Sequence, residues 1–380
     1  MRLLHTSDLH LGRHFSGIAL EEDHGAILDQ IARAIVDSRV DVLVIAGDIF
    51  DRAAPPTTAV RQFNAFLTRV ASETDAAVVL IAGNHDSGDR IGSMSIMTDT
   101  RRALIRGVVS ADEKPLILSD EHGKVAISGL PFSYEYAARE CFADETMQTP
   151  EHVLTAQIAS ARRNVPEGAR WVIVSHAFVS GALVSESERS LVRVGGAGTV
   201  PPEIFDGAAY VALGHLHRPQ SAGAPHIRYS GSPLAFGFDE ADAVKSMSFV
   251  EIDGAGRAKI EEIPFQPRHR VRVLRGKHAD LLLANASDDF TKVVLTDDAP
   301  VIDGMKRLRD VFPNACDLIY ERDERDRELK PLEARVVRVA DPLEVVGDFL
   351  ALVRDERLTD GELEVVKTTL YDIQNGEDAA

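Results

Sequence analysis

The stretch DVLVIAGDIFD, residues 41 to 51, contains the pattern that decides the fold of this 380-residue chain. An apolar run rich in β-branched residues, typical of a buried strand, ends at Gly47, and the carboxylates Asp48 and Asp51 follow it closely. Runs of the same kind, each with a turn or cap signal at its carboxyl end, are RLLHTS (2 to 7), AAVVLIAG (76 to 83), KVAISGL (124 to 130), WVIVSH (171 to 176) and YVALGH (210 to 215).

Helical patterns lie between the early strands. Residues 20 to 38 place apolar side chains on one stripe, and residues 56 to 73 do the same, with Pro56 near the start. Alternating strands and helices indicate crossover connections and an α/β (α+β) core. Residues 225 to 263 lack long helical patterns, and we expect antiparallel strands there that close a second sheet. The predicted architecture is a two-sheet β-sandwich flanked by helices.

The composition changes near residue 268. The stretch RHRVRVLRGK, residues 268 to 277, is rich in cations and has no carboxylate, and its first arginines alternate with other side chains as on a half-exposed strand. A β-α-β-α-β pattern then continues to about residue 320. This pattern predicts a small α+β module after the sandwich.

The rest of the chain is strongly charged at first and then amphipathic. Residues 321 to 330 suit a solvated linker or an exposed helix face, while Asp341-Pro342 and the capping box Thr359-x-x-Glu362 mark the starts of two short helices. Apolar stripes on these helices fit internal packing as well as they fit a partner surface. The predicted domains are residues 1–267, 268–325 and 326–380.

Bulk properties narrow the class of protein. The chain has a net charge of −18, two cysteines that lie outside every motif, and no apolar run long enough for a membrane helix. We therefore expect a protein of the reducing cytoplasm. The negative charge argues against tight autonomous binding to DNA, because cations supply most non-specific affinity for a polyanion. Divalent metals and a partner protein would lift this restriction.

Five short motifs each begin where a predicted strand ends: SDLH (7 to 10), GDIFD (47 to 51), GNHD (83 to 86), SH (175 and 176) and GHLH (214 to 217). The carboxyl ends of strands in α/β sheets are where ligands gather. Within DxH and HxH, a period-two spacing would point both side chains the same way if the backbone stays extended. The predicted metal ligands are Asp8, His10, Asp48, Asn84, His176, His215 and His217.

This mixture of carboxylate, imidazole and amide favours Mn²⁺, with Fe²⁺ or Zn²⁺ as alternatives. Seven ligands exceed the number that one ion with an open position takes, so we predict two ions that share Asp48. Such a pair hydrolyses phosphoesters. His85 is predicted to act beside the metals as a catalytic imidazole paired with Asp86 or Asp51.

The order of these motifs resembles that of the calcineurin-like metallophosphoesterases. Within that class, the segments SDLHLGR (7 to 13), SESERSLVRVGG (185 to 196), GHLHRPQ (214 to 220) and YSGSPLAFGFDEADAVKS (229 to 246) are similar to the SbcD nuclease family. The resemblance implies that His85 is the catalytic histidine and that two Mn²⁺ ions are bound. It implies that Asp8, His10, Asp48 and His217 hold one ion, and that Asp48, Asn84, His176 and His215 hold the other.

The resemblance also implies a biological setting. Members of the SbcD family act as 3′-to-5′ double-strand exonucleases and as single-strand and hairpin endonucleases in DNA repair, recombination and replication. Their SbcC ATPase partner uses the ATP, and the nuclease subunit forms a homodimer within a heterotetramer. The resemblance further implies that the small module, here about 269 to 325, caps the site and that the final helices dock on the partner.

Two other functions remain open from the sequence. Arg52 follows GDIFD where related protein phosphatases carry a phosphate-binding arginine, which suits a phosphomonoesterase, although those enzymes end the third motif with Glu instead of Asp86. A non-catalytic scaffold for an ATPase is the other alternative. Arg52 and His14, the histidine nearest to the motifs, are the candidate substrate contacts.

Overall fold

The computed structural model describes residues 1–96, 99–188, 198–323, 358–359 and 361–367. The strands in these ranges are β1 (Arg2–Thr6), β2 (His14–Phe15), β3 (Ile18–Ala19), β4 (Val42–Ala46), β5 (Ala77–Ile81), β6 (Ala103–Arg106), β7 (Leu116–Asp120), β8 (Gly123–Leu130), β9 (Arg170–His176), β10 (Tyr210–Gly214), β11 (Gln220–Ala222), β12 (Ala224–Tyr229), β13 (Ser246–Ile252), β14 (Ala258–Pro264), β15 (Val271–Gly276), β16 (Phe290–Leu295) and β17 (Ala315–Tyr320). The helices are α1 (Glu21–Asp37), α2 (Thr57–Glu73), α3 (Gly88–Ser93), α4 (Glu135–Phe142), α5 (Pro150–Arg162), α6 (His278–Leu281) and α7 (Gly304–Leu308).

Two six-stranded sheets form the core of the described chain, in the orders β14-β13-β1-β4-β5-β6 and β11-β12-β10-β9-β8-β7. Alternate side chains of each strand face opposite layers. Val42 and Val44 of β4 pack with Val172 and Val174 of β9 between the sheets. The predicted two-sheet sandwich is confirmed.

Helices cover the outer faces of both sheets. Leu43 and Ile45, which alternate with the inward-facing valines of β4, belong to one apolar cluster with Ile31 of α1 and Phe63 of α2. On the other sheet, Ile173 shares a cluster with residues of α5. The helical patterns at 20 to 38 and 56 to 73 therefore form the layer that we predicted from them.

The strands after residue 224 differ from the prediction. Only β12 joins the second sheet, where it pairs in parallel with β10. The hairpin β13–β14 is antiparallel as expected, but β13 pairs with β1 and so extends the first sheet. The reason is packing, since Val250 and Ile252 of β13 enter the apolar layer between the sheets beside Leu3.

The small module has the predicted β-α-β-α-β order, with β15, β16 and β17 in one sheet. Val271 is buried while Arg270 and Arg272 are exposed, as predicted, but Val273 is exposed too, so the predicted alternation holds only at the start of the strand. Two arginines of the cationic stretch have carboxylate neighbours: Arg268 lies 2.9 Å from Glu22, and Arg272 lies 3.4 Å from Asp289. An ion-paired arginine needs no DNA to explain it.

The chain divides into two compact units, Met1–Leu318 and Ile319–Ala380. The predicted boundaries at residues 267 and 325 divide it differently and stay predictions. In the second unit, Thr359 and Glu362 form the capping box, with the Thr359 N–H 2.9 Å from Glu362 Oε2, and residues 361–367 are helical. The predicted linker after residue 323 and the helix at 342 to 355 lie outside the described residues. No helix in the described ranges is long and apolar enough to cross a membrane.

His5 joins the two sheets, because its Nδ1 lies 2.9 Å from the Tyr210 hydroxyl. Burial lowers the pKa of His5 from 6.5 to about 3. The folded chain thus keeps this imidazole neutral while the unfolded chain binds a proton below pH 6.5, so its effect is to lower stability as the pH falls from 6.5 towards 3, by about 1.4 kcal/mol per unit. We expect His5→Gln to reduce the slope of unfolding free energy against pH between pH 3 and 6.5 by the contribution of about one proton. Urea unfolding at several pH values measures this slope.

The matched control is His122→Gln, since the His122 side chain is half exposed. It makes the same substitution at a surface histidine, and the change of slope in His5→Gln is measured against it. An unchanged slope in His5→Gln would contradict the assignment of a neutral buried imidazole.

Candidate metal centre

The predicted ligands follow the carboxyl ends of neighbouring strands. Strands β1, β4 and β5 lie side by side and parallel in the first sheet, and β9 and β10 do so in the second. Their ends therefore meet at one edge of the sandwich. The structure brings all seven residues to this edge and buries them: Asp8, His10, Asp48, Asn84, His176, His215 and His217.

One group of donors consists of Asp8, His10 and His217, whose ligand atoms all lie within 4.8 Å of one another. The Nε2 atoms of His10 and His217 are 3.2 Å apart. The Asp48 carboxylate is close as well, with Oδ2 3.7 Å from His10 Nε2.

The second group is centred on the amide oxygen of Asn84. This oxygen lies 3.0 Å from His176 Nε2 and 3.1 Å from His215 Nδ1. His176 Nε2 is also 3.5 Å from Asp48 Oδ2. Asp48 thus lies within reach of both groups, which is the position that a shared ligand would need.

Three glycines allow this close approach. A Cβ atom on Gly47 would lie 2.5 Å from His176 Nδ1, and one on Gly83 would overlap the Asp48 carboxylate. A Cβ on Gly214 would overlap the carbonyl oxygen of Ala46. The glycine that opens three of the motifs is therefore a steric requirement of the site, and its repeated place before a ligand was a signal in the sequence that our prediction did not use.

The backbone reaches the site through left-handed conformations. Asp8, His10, Asp48 and His215 have φ angles of 53°, 45°, 50° and 108°. Such angles are uncommon outside glycine and concentrate at functional sites. The extended backbone that the period-two spacing requires is not present, and the DxH and HxH pairs converge because the backbone bends at these residues.

Burial sets the charge state of the cluster. It lowers the pKa of His176 and of His217 to about 4 and holds the pKa of His10 and His215 well below 6.5. The imidazoles are therefore neutral, as metal coordination requires. Burial, and then the neighbouring Asp48, raise the pKa of Asp8 well above its usual value.

Hydrogen bonds orient two of the imidazoles. His176 Nδ1 lies 2.9 Å from the carbonyl oxygen of Ala46, which leaves Nε2 for the site. His217 Nδ1 is 2.7 Å from the Ser187 hydroxyl, which in turn donates to Glu240 Oε1 at 2.7 Å. Lys245 forms a buried ion pair with Glu240. Our sequence reasoning did not single out Ser187, Glu240 or Lys245 individually, although they lie in segments that carry the SbcD resemblance.

The donor set fits divalent metal ions. Two adjacent buried carboxylates lie beside neutral imidazoles whose nitrogens face one another, and such a donor set suits a cation. His10 Nδ1 is buried and has no hydrogen-bond partner among the described residues. Asp51 Oδ1 lies 3.7 Å from this Nδ1 atom, so the nitrogen of His10 that faces the donor group is Nε2. Carboxylate and imidazole donors without a thiolate favour Mn²⁺, Fe²⁺ or Zn²⁺.

His85 does not pair with the side chain of Asp51 or Asp86 in the way that the sequence predicted. His85 is buried beside the cluster, and its Nδ1 lies 2.9 Å from the backbone carbonyl oxygen of Asp51. The Asp86 carboxylate instead accepts hydrogen bonds from the N–H groups of Ile49, Phe50 and Gly83. A backbone carbonyl, not a carboxylate side chain, therefore orients His85.

The two candidate substrate contacts lie at the surface. Arg52 and His14 are both exposed. Arg13 is closer to the cluster: its guanidinium is 3.4 Å from Asp51 Oδ1 and lies over the Phe236 ring at 4.5 Å. Arg13 is a cation at the rim of the site that the motif analysis did not identify.

Comparison with known families agrees with this geometry. Residues 1–219 match the family model described as calcineurin-like phosphoesterase, which spans more than half of the chain. The chain belongs to this family and is a metal-dependent phosphoesterase. Residues 267–354 match the SbcD_C model, described as the Type 5 capsule protein repressor C-terminal domain. The two matches together identify an SbcD-type nuclease subunit.

Gly214→Ala tests whether the glycines are needed for the site. The new Cβ would overlap the Ala46 carbonyl and lie 2.8 Å from His176 Nδ1, so β4 and β10 must separate. We expect a loss of about 1 to 3 kcal/mol in stability. We also expect Mn²⁺ to raise the melting temperature of the wild type but not that of Gly214→Ala. Gly361→Ala, where a Cβ meets nothing within 4 Å, is the control. A full Mn²⁺-dependent rise in Gly214→Ala would refute the steric role.

Ser187→Ala tests the support of His217. Removing the hydroxyl breaks its contacts with His217 Nδ1 and Glu240, and loss of such an outer partner costs about 10- to 100-fold in metal affinity. Calorimetric titration with Mn²⁺ measures the change. Ser133→Ala, whose hydroxyl donates to the carbonyl oxygen of Tyr134, is the control. Equal Mn²⁺ affinity in Ser187→Ala and wild type would show that the serine does not support the ligand.

Proposed function

We propose that this chain is the Mn²⁺-dependent nuclease subunit of an SbcCD-type complex and hydrolyses phosphodiester bonds of DNA. The observation that carries the proposal is the combination of a complete buried donor cluster in the phosphoesterase domain with the SbcD_C match at residues 267–354. A metallophosphoesterase fold alone serves many substrates, so the match of the second domain is what supports DNA as the substrate.

The ligand assignment follows the two donor groups. Asp8, His10 and His217 would hold one ion, Asn84, His176 and His215 would hold the other, and Asp48 would serve both. Two bound divalent ions supply Lewis-acid chemistry, because their charge stabilises the phosphate oxygens and makes water a nucleophile at neutral pH.

His85 is the catalytic residue of this proposal. Its Nδ1–H donates to the Asp51 carbonyl, so Nε2 is the atom left for the substrate, and it lies 3.9 Å from Asp48 Oδ2. From there it would protonate the leaving oxygen or stabilise the charge on the phosphate. Asp86 acts as a positioning residue, since it ties the GDIFD loop to the GNHD loop through backbone hydrogen bonds. The Asp51 carboxylate, 3.7 Å from His10 Nδ1, completes the wall of the site.

The proposed activities are 3′-to-5′ exonuclease action on duplex DNA and endonuclease action on single strands and hairpins, in cytoplasmic DNA repair, recombination and replication. A net charge of −18 limits the affinity of the chain for DNA, so the SbcC partner would hold the DNA and use ATP. Residues 268–325 would cap the site, and residues 326–380 would include the partner-binding helices. A homodimer within a heterotetramer is part of this proposal.

The test measures cleavage of linear and hairpin DNA by the chain, with and without its ATPase partner, in Mn²⁺. We expect EDTA to abolish cleavage, Mn²⁺ to restore it, and His85→Gln to lower kcat by about 10²- to 10⁴-fold with Mn²⁺ affinity retained. His122→Gln, at an exposed site, is the matched control.

Three results would overturn parts of the proposal. Intact DNA after incubation of wild type with Mn²⁺ and the partner would exclude a nuclease. Rapid turnover of a phosphomonoester without DNA cleavage would favour the phosphatase alternative. Full activity of His85→Gln would show that His85 is not a catalytic residue.

Arg52→Ala and His14→Gln should raise KM and leave kcat unchanged if these residues contact DNA.

A further inference from the structure

Three aromatic side chains form a row that leads away from the metal centre. The rings of Phe132 and Tyr134 meet edge to face with centroids 5.0 Å apart, and those of Tyr134 and Tyr136 are stacked at 5.8 Å with an angle of 11° between their planes. We call these three residues the aromatic row. Tyr134 is 44% exposed and Tyr136 is 65% exposed.

The exposure of the two tyrosines is unusual for this molecule. Within the ranges that the structure describes, Tyr134 and Tyr136 are the exposed aromatic side chains, and the remaining Phe, Tyr and Trp residues there are buried or half-buried. Packing of the sandwich core therefore does not account for them. Tyrosine is enriched at binding interfaces, and exposed aromatic rings offer π faces on which a planar group can stack.

The aromatic row is tied to the metal centre through the backbone. Phe132 follows strand β8, and its N–H donates to the carbonyl oxygen of Ala82 at 3.0 Å. Ala82 lies two residues before Asn84, the amide at the centre of the second donor group. The first ring of the row is thus fixed by the same loop that carries a predicted ligand.

Two clefts connect the row with the ligands. Tyr134 and Tyr136 line a cleft of ≈ 230 Å³ that also contains Asn84 and Asp86. On the other side, Phe132 and Tyr134 line an apolar cavity of ≈ 100 Å³ that reaches His176 and Phe178. The row is the wall between two openings that both end at predicted metal ligands.

We propose that the aromatic row is a stacking platform for unpaired nucleobases of the strand whose phosphate lies at the metal centre. This inference rests on the proposed function and deepens it. Aromatic rings stack on any base because every base has a π face, so the platform would be tolerant of sequence. Bases in a duplex are stacked on one another and leave no face free, whereas the bases of single strands, frayed ends and hairpin loops do.

The net negative charge of the chain favours DNA binding through uncharged rings over binding through cations. With a net charge of −18, the chain repels a polyanion, and contacts between cations and phosphates weaken steeply with salt. Stacking needs no cation. A row of uncharged rings beside the ligands would therefore select and hold the unpaired end of a strand where phosphate contacts are few.

The experiment compares binding of a short single strand with binding of the same strand annealed to its complement. The full chain is used in Mn²⁺ at low ionic strength, and a phosphorothioate backbone slows hydrolysis. We expect the double variant Tyr134→Ala and Tyr136→Ala to weaken single-strand binding by about ten-fold or more, and duplex binding by less than about two-fold. Fluorescence anisotropy measures both dissociation constants.

Two control variants separate stacking from other effects. The double variant Tyr134→Phe and Tyr136→Phe keeps both rings and should bind the single strand within about two-fold of wild type. Val108→Ala shortens an exposed aliphatic side chain in the same cleft and should leave the affinity for the single strand unchanged.

In the wild type, 5-iodouracil in the single strand should cross-link on irradiation to Tyr134 or Tyr136, and annealing should suppress this product.

The inference is refuted if the alanine double variant binds the single strand as tightly as wild type, or if it loses affinity equally for single strand and duplex. A change in oligomeric state by light scattering, with unchanged DNA affinity, would assign the row to a protein contact and also refute it. If wild type with its partner cleaves DNA and the alanine double variant binds the single strand normally, the stacking platform is refuted and the proposed function stands. If wild type neither binds nor cleaves DNA, the proposed function fails too.

Discussion

The burial of Asp8 and Asp48 beside one another is the constraint on which the rest of this site depends. Two carboxylates in a poorly solvated place repel each other, and the pKa of Asp8 is raised by burial and by this neighbour. The surrounding imidazoles do not relieve the repulsion, because burial keeps them neutral. A proton on Asp8 or a bound cation does so. The glycines, the left-handed backbone angles and the oriented histidines all serve to hold a cluster that is stable when cations occupy it.

Much of this arrangement was predictable because strand ends in an α/β sheet meet at a common edge. The runs at 41 to 47 and 210 to 215 located β4 and β10, and the polar residues after them did converge. Other features depend on contacts between distant segments. Nothing local in 246 to 252 shows that β13 would pair with β1, since either sheet offered an edge to an apolar strand. For the same reason the sequence did not reveal that Asp86 binds backbone amides while a carbonyl orients His85.

The segments that carried the SbcD resemblance acquire a physical role in the structure. Ser187 and Glu240 come from two of them, and they meet beneath His217, where Lys245 neutralises the glutamate. The sequence marked these segments as typical of the family but did not indicate what they contact, because the residues are more than fifty positions apart. Residues 189–196 of the segment 185 to 196 lie outside the described residues.

The pair Glu240 and Lys245 also restricts how this protein can change over evolutionary time. Both side chains are buried, so loss of either one alone would leave an uncompensated charge in the interior and lower the free energy of unfolding by roughly 3 to 5 kcal/mol. Because Glu240 also accepts the hydroxyl that orients His217, the damage would extend to the metal ligand. A homologue that abandons the pair must replace both residues together and find another support for the histidine. These positions should therefore diverge as a unit or not at all.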